Sequence, residues 1–263
     1  MQVSTTVAEW TERRRTITAS RIGFVPTMGA LHRGHASLVA RCRRENEVVV
    51  VSIFVNPSQF NDPKDLERYP RTLDQDLAVL KDLGANEVLI PAASELYPHG
   101  YRFRVEAKNL TSVMEGAHRP GFLEGVMTVV LKLLNLVRAD RAYFGEKDYQ
   151  QLRTITEMVE EFFIPTKIIP CPTVREESGL AESSRNSLLS AKARKKAACL
   201  FRALTINPDA NATKAMIEAA GFRVDYVEEH WGRRFAAAHL EGVRLIDNVS
   251  LEERNVTVSG CRQ

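Results

Sequence analysis

The segment Pro26-Thr27-Met28-Gly29-Ala30-Leu31-His32-Arg33-Gly34-His35 carries two glycines and two imidazoles three residues apart. Glycine lets backbone approach a ligand closely, and imidazole N–H groups donate to phosphate oxygens. The helix expected to follow, with Leu38, Val39 and Cys42 on its packing side, adds unpaired N–H groups and a positive dipole end. Together these suit a nucleotide triphosphate. The same H-x-x-H spacing also fits a metal, but no third ligand accompanies it at a plausible distance in the sequence, so we expect no protein-held metal.

Three further clusters carry chemistry. Phe54-Val55-Asn56-Pro57-Ser58-Gln59-Phe60 offers Asn56 and Gln59, neutral amides that orient a hydroxyl and a carboxylate without neutralising a nucleophile, although Gln59 alone also fits an ordinary loop residue. In Phe144-Gly145-Glu146-Lys147-Asp148-Tyr149-Gln150-Gln151, Lys147 supplies a point charge for a phosphate, and Asp148 either caps a helix or holds a ribose hydroxyl. Gly179-Leu180-Ala181-Glu182-Ser183-Ser184-Arg185-Asn186 reads as a flexible polar loop whose Ser183, Ser184 and Arg185 close over phosphates.

Apolar runs bounded by turn signals predict the strands that position these clusters: Ile22 to Val25, Val48 to Val55, Val88 to Ile90, Ala142 to Phe144 and Lys167 to Ile169. The run Val48 to Val55 is continuously apolar, as in a central parallel strand covered on both faces. Three of the four clusters then fall at strand ends, where open α/β sheets bind ligands. Between strands, Leu73, Leu77, Leu80 and Leu83 mark one helix face, with Thr72 and Gln75 as an expected capping box and Gly84 as the stop. Val126 to Val137 is apolar nearly all round and predicts a buried helix.

After Pro172 the composition turns polar and Ser-rich, then basic, then to shorter elements such as Phe222 to Val227 and Val243 to Val249. We expect an α/β doubly wound, Rossmann-like parallel sheet over residues 1–174 and a small C-terminal α+β lid domain over 175–263.

The 263 residues suffice for a sizeable core, and the formal net charge of +3 is dispersed, which argues against a nucleic-acid partner. The basic run Lys192, Arg194, Lys195 and Lys196 fits a solvated helix face better than a phosphate site. Cys42, Cys171, Cys199 and Cys261 lie far apart without a CxxC pair and read as reduced thiols. Met1 to Ser20 lacks an apolar signal core, and no run of about 18 apolar residues occurs, so no membrane association and a cytoplasmic location are expected.

In order and spacing, PTMGALHRGH, FVNPSQF, YPRTL, GEKDYQQ and SSRN resemble the pantothenate synthetases, a branch of the nucleotidyltransferases related to class I aminoacyl-tRNA synthetases. The resemblance spans residues 21–190; the histidine motif is similar to that superfamily's HIGH sequence, and SSRN stands where its KMSKS loop would be. It implies ATP-dependent condensation of pantoate with β-alanine through a pantoyl adenylate, with release of AMP and pyrophosphate, Mg²⁺ as cofactor and a homodimer.

The resemblance assigns Met28, Gly29, Ala30, Leu31, His32, Arg33, Gly34 and His35 to ATP, with His35 as the catalytic histidine. It likewise assigns Gly145, Glu146, Lys147, Asp148, Val174, Glu182, Ser183, Ser184 and Arg185 to ATP, Gln59 to pantoate and β-alanine, and Gln151 to pantoate. His32, His35, Lys147 and Arg185 are the expected charge-stabilising groups, and Asn56 joins Gln59 at the acid substrates.

Three positions depart from the family pattern: Glu182 replaces an apolar residue, Phe122 follows Arg119-Pro120-Gly121 where His is usual, and the run from Tyr226 to Ala236 is short, which suggests a missing lid element. These motivate two alternatives, a weakened or inactive homologue that binds nucleotide and a nucleotidyltransferase acting on another small acid.

Overall fold

A computed structural model describes residues 1–252; Cys261, read above as a reduced thiol, lies outside them. The chain divides into two compact units, one of Met1–Glu146 with Gln150–Pro172 and one of Lys147–Tyr149 with the chain from Thr173 on.

The first unit runs β1 (Gln2–Ser4), α1 (Val7–Thr16), β2 (Ile22–Thr27), α2 (Arg33–Glu45), β3 (Val48–Ile53), α3 (Pro63–Arg68), α4 (Leu73–Asp82), β4 (Glu87–Leu89), α5 (Ala93–Leu96), α6 (Met114–His118), α7 (Phe122–Val137), β5 (Arg141–Gly145), α8 (Tyr149–Glu161) and β6 (Lys167–Cys171). Its six strands lie in the order β1-β4-β3-β2-β5-β6, every pair parallel.

The five strands expected from the sequence all form, within two residues at each end. Side chains alternate across a sheet, so Val25, Val49 and Val51 face one layer and Phe24 and Val50 the other. All five are fully buried, which requires both faces to be covered. Leu38, Val39 and Cys42 of α2 and Leu80 of α4 join the first layer, while α7 packs on β2. Each fully buried Val or Leu contributes about 1.5–3 kcal/mol to folding before entropy is counted.

Two local expectations fail. Thr72 precedes α4 but makes no capping bond, its backbone at φ −126° and ψ 44° lying outside the extended region that an N-cap adopts; its hydroxyl donates to Asp76 Oδ1 at 3.3 Å. Leu73 is 42 % exposed and leaves the apolar face of that helix to Leu77, Leu80 and Leu83.

The second unit contains α9 (Ala191–Ala197), α10 (Cys199–Ile206), α11 (Ala210–Ala219), β7 (Arg223–His230), β8 (Arg233–Leu240) and β9 (Val243–Ser250). The strands form an antiparallel meander whose apolar face packs on Leu200, Leu204 and Ile217. Two-residue turns close both hairpins, with Trp231 at φ +51° and Glu241 at φ +50°. The short run from Tyr226 to Ala236 is therefore a tight hairpin that pairs continuously from His230–Arg233 outward. On α9, Ala193 and Ala197 face the core while Lys192, Arg194, Lys195 and Lys196 are exposed. Arg234, 1 % exposed, donates to Glu229, Asn207 O, Pro208 O and Thr213 Oγ1, and so ties β8 to the end of α10.

Candidate active site

In this strand order β3 and β4 lie to one side of β2, and β5 and β6 to the other. The winding reverses between β2 and β5, and the crevice at their carboxyl ends is where such sheets take ligands. Met28 to Leu31 leave β2 at this point, Gly145 ends β5, and the turn Pro57–Gln59 follows the neighbouring β3.

The β2–α2 loop engages most of its amides within the chain. Gly29 and Ala30 take left-handed conformations, at φ +79° and +49°. Gly29 N–H donates to Thr27 Oγ1, while the N–H groups of Ala30 and Leu31 donate to the two oxygens of Asp76 at 2.9 and 2.8 Å. Gly34 N–H donates to His32 Nδ1 at 3.1 Å, and His32 N–H to His35 Nδ1 at 3.4 Å. The amides of Gly29, Ala30, Leu31, His32 and Gly34 are thus engaged within the chain.

What this loop offers a ligand is consequently imidazole. A ring nitrogen that accepts an N–H bond carries no proton, so the neutral forms of His32 and His35 place their hydrogen on Nε2. The rings lie 4.1 Å apart, centroid to centroid, with their planes 41° from parallel. Both are half-buried, as is Met28, while Arg33 at the first position of α2 is exposed.

After β3, Asn56 is fully buried and entirely consumed by protein. Its Nδ2 donates to Gly125 O and Gln59 Oε1, and its Oδ1 accepts from Tyr97 Oη and Ser58 Oγ. A substrate that meets Asn56, as expected from the sequence, exchanges with these internal partners. The effect of Asn56 is to orient Gln59. With Gln59 Oε1 captured at 2.9 Å, the Gln59 NH₂ is the end without a partner among the described residues, a pure donor.

Arg119 fixes the same turn by donating to Gln59 O at 3.0 Å, with its guanidinium 3.6 Å from the centroid of the Phe122 ring. Phe122, where the resemblance led us to expect His, therefore supports the Gln59 turn through a cation–π contact.

Gly145 ends β5, Glu146 opens the short turn Glu146–Asp148, and Lys147 Nζ lies 3.6 Å from Asp148 Oδ2. Asp148 makes no capping bond to α8, so of its two expected roles the cap is not formed. Gln150 is buried and spent on Leu110 O, Val113 O and Glu115 N, whereas Gln151 is half-buried and makes no side-chain hydrogen bond among the described residues.

In the second unit, Asn248 Nδ2 donates to Lys147 O at 2.9 Å, and Arg233 lies 4.6 Å from the centroid of the Tyr149 ring. The segment expected to be a flexible polar loop is tied down. Arg175 donates to both oxygens of Asp247 and to Gly179 O, and Asn186 to Glu176 Oε1 and Ala181 O. Glu182 N–H donates to Val174 O, and Ser183 Oγ accepts from Arg185 N–H. Ser183, Ser184 and Arg185 are half-buried. Glu182 is 9 % exposed, so its side chain does not extend into solvent, and it lies within the field of Arg194.

Sequence reasoning missed Asp76, Gly125, Arg175 and Asn248. A glycine inside an otherwise apolar helix was the available signal for Gly125, whose added Cβ would stand 2.3 Å from Ser58 O.

This architecture defines an α/β ligand-binding protein whose site lies at the switch point of a parallel sheet. Residues 2–250 match the family model described as pantoate-beta-alanine ligase. A pantothenate synthetase of Bdellovibrio bacteriovorus is 53 % identical over 230 residues, 88 % of this chain and 92 % of that protein. One from Legionella pneumophila is 46 % identical over 252 residues, 95 % of this chain and all of that protein. A crystal structure of the pantoate-beta-alanine ligase of Francisella tularensis, complexed with β-γ ATP and β-alanine, superimposes with a TM-score of 0.92 at 41 % identity, covering 96 % of this chain and 98 % of that one. Pantothenate synthetase from Thermus thermophilus gives 0.88 at 43 %, covering 95 % and 99 %. The chain belongs to the pantoate-beta-alanine ligase family, enzymes that form a carbon–nitrogen bond.

Proposed function

We propose that this chain condenses pantoate with β-alanine in two half-reactions driven by ATP. In the first, a pantoate carboxylate oxygen attacks the α-phosphorus of ATP; the new P–O bond forms as the bond to the β-phosphate oxygen breaks, and pyrophosphate leaves. In the second, the neutral amine of β-alanine attacks the acyl carbon, the bond to AMP breaks, and the nitrogen loses its extra proton to give pantothenate.

The observation that carries this reading is the locked histidine pair, whose Nδ1 atoms both accept backbone N–H groups. Two Nε2–H donors, held before the reaction begins, suit charge that builds on the α-phosphate and on departing pyrophosphate. Lys147 and Arg185 supply further positive charge, Gln59 donates to pantoate and to β-alanine, and Gln151 binds pantoate. Gly145, Glu146 and Asp148, with Val174, Glu182, Ser183 and Ser184, complete the nucleotide site in this assignment, Asp148 holding a ribose hydroxyl. Among the described residues no three His, Cys, Asp or Glu side chains cluster as a metal site. We assign Mg²⁺ to the triphosphate, where it neutralises oxygen charge.

The acyl adenylate hydrolyses readily, so we assign the second unit, residues 175–263 by the sequence boundary, the role of a lid that excludes water. We also read the enzyme as a cytoplasmic homodimer, checked by light scattering for the assembly and by fractionation for the location. The deciding experiment is AMP release from purified protein with ATP, Mg²⁺, pantoate and β-alanine, each acid omitted in turn. AMP and pantothenate only with both acids supports the ligase; pyrophosphate release that appears only when another small acid replaces pantoate indicates a nucleotidyltransferase on that acid, and bound ATP without AMP an inactive homologue.

A further inference from the structure

Asp76 is 3 % exposed, and among the described residues no Lys, Arg or His pairs with it. A buried carboxylate without a cation is costly unless hydrogen bonds replace its water. Here they come from two successive amides, Ala30 N–H at 2.9 Å and Leu31 N–H at 2.8 Å, and from Thr72 Oγ1 at 3.3 Å. The carboxylate sits in the concavity of the Gly29-Ala30-Leu31 turn, with Oδ2 3.0 Å from the place a Cβ on Gly29 would occupy. Successive amides in left-handed conformations form a nest of the kind that elsewhere receives phosphate. In this chain the nest is filled by the protein's own anion.

The surroundings of Asp76 are apolar, with Leu80 one turn along α4 and Ile53 beside Gly29. The charge is explained by what it holds: a loop with Ala30 at φ +49° that leads directly into His32, the N-cap of α2, and His35 one turn on.

We propose that Asp76 is a positioning residue for adenylation, whose carboxylate fixes Ala30 and Leu31 and thereby sets His32 and His35 at the α-phosphate. The inference rests on the adenylation reading above. Its consequence is that the triphosphate is received by imidazole and not by the loop amides.

The test uses the full chain with Asp76→Asn, which keeps shape but sets an NH₂ against one of the two amides, and Asp76→Glu, which keeps the charge but displaces it by a methylene. Both should lower kcat for AMP formation on the order of 100-fold, the scale of an ångström-sized misplacement, and speed hydrogen exchange at Ala30 and Leu31. Leu80→Ala, a packing loss on the same helix, should lower the melting temperature and keep turnover. Wild-type turnover in folded Asp76→Asn, full activity in Asp76→Glu, tighter ATP binding in Asp76→Asn, or an equal turnover loss in Leu80→Ala would each overturn the assignment. A wild-type enzyme that forms no AMP would instead refute the adenylation reading, while the exchange comparison would still report whether Asp76 holds the loop.

Discussion

Substitution of Gly125 by alanine tests how Gln59 is held. A Cβ at this position would lie 2.3 Å from Ser58 O and 2.8 Å from Ser58 C, whereas ordinary contact begins at 3.4 Å. The Pro57–Gln59 turn and α7 must then separate by about 1.1 Å, the difference between 3.4 and 2.3. The obstacle is backbone, so no rotamer change relieves it. The movement also stretches the 3.2 Å bond from Asn56 to Gly125 O, and with it the contact that turns Gln59 Oε1 inward. Overpacking costs about 1–3 kcal/mol, offset by about 1 kcal/mol of helix propensity gained on replacing glycine, so the protein should stay folded with a modest fall in melting temperature. A displacement of this size at a substrate-orienting amide should lower kcat/KM for pantoate about 100-fold, equivalent to about 2.7 kcal/mol. Initial rates of AMP formation at varied pantoate and then varied ATP, beside a thermal melt, measure both. The KM for ATP should be unchanged, because the histidine loop belongs to another strand end. A folded Gly125→Ala protein with wild-type kcat/KM for pantoate would refute the argument.

The remaining expectations are simpler to read. His35→Ala should cut adenylation by about 100-fold or more without loss of fold, as when one preorganised donor is removed; unchanged turnover with an unchanged melt would contradict the role. Glu182→Leu should lower the KM for ATP about fivefold, the equivalent of about 1 kcal/mol of relieved repulsion; an unaltered KM would place its carboxylate away from the phosphates. Burial pushes the Cys42 thiol up to about 12, so it stays protonated in the fold and should resist a thiol reagent at pH 8 until denaturant is added. The sign of its linkage follows: an unfolded thiol ionises near pH 8.5, so this contribution is intact below that value and is lost as pH rises towards about 12. A melting temperature that climbs between pH 9 and 11 would oppose it.

The sheet was legible because Val48 to Ile53 and its neighbours are apolar runs, a pattern that burial on both faces imposes. β1 was not, since three residues with Val3 half in solvent carry no period to detect. Candidate site residues could be picked out by type and motif, but the state of their hydrogen bonds could not. Asp76 is 46 residues from Ala30, and only the packed α4 reveals that it claims that amide. That Asn56 also bonds Tyr97 and Gly125 was hidden because these partners come from distant segments. Thr72 had the residue type of a cap and the spacing to Gln75, yet its backbone, at ψ 44°, is not in the extended conformation from which a cap oxygen reaches the first-turn amides.

The grouping of Lys147–Tyr149 with the second unit has a bearing on how such enzymes exchange parts during evolution or in the laboratory. The tie from Asn248 reaches a main-chain carbonyl, which every residue type supplies, so it survives transplantation into a relative with another side chain there. The contacts around Tyr149 are different in kind: its ring meets Trp231 and Phe235 and lies beside Arg233, all chosen by type. A chimera spliced once near residue 172 would therefore inherit the lysine's backbone anchor intact while mismatching the aromatic packing two residues on. Recombinants that cross over twice, carrying residues 147–149 along with the C-terminal part, should be the ones that keep both.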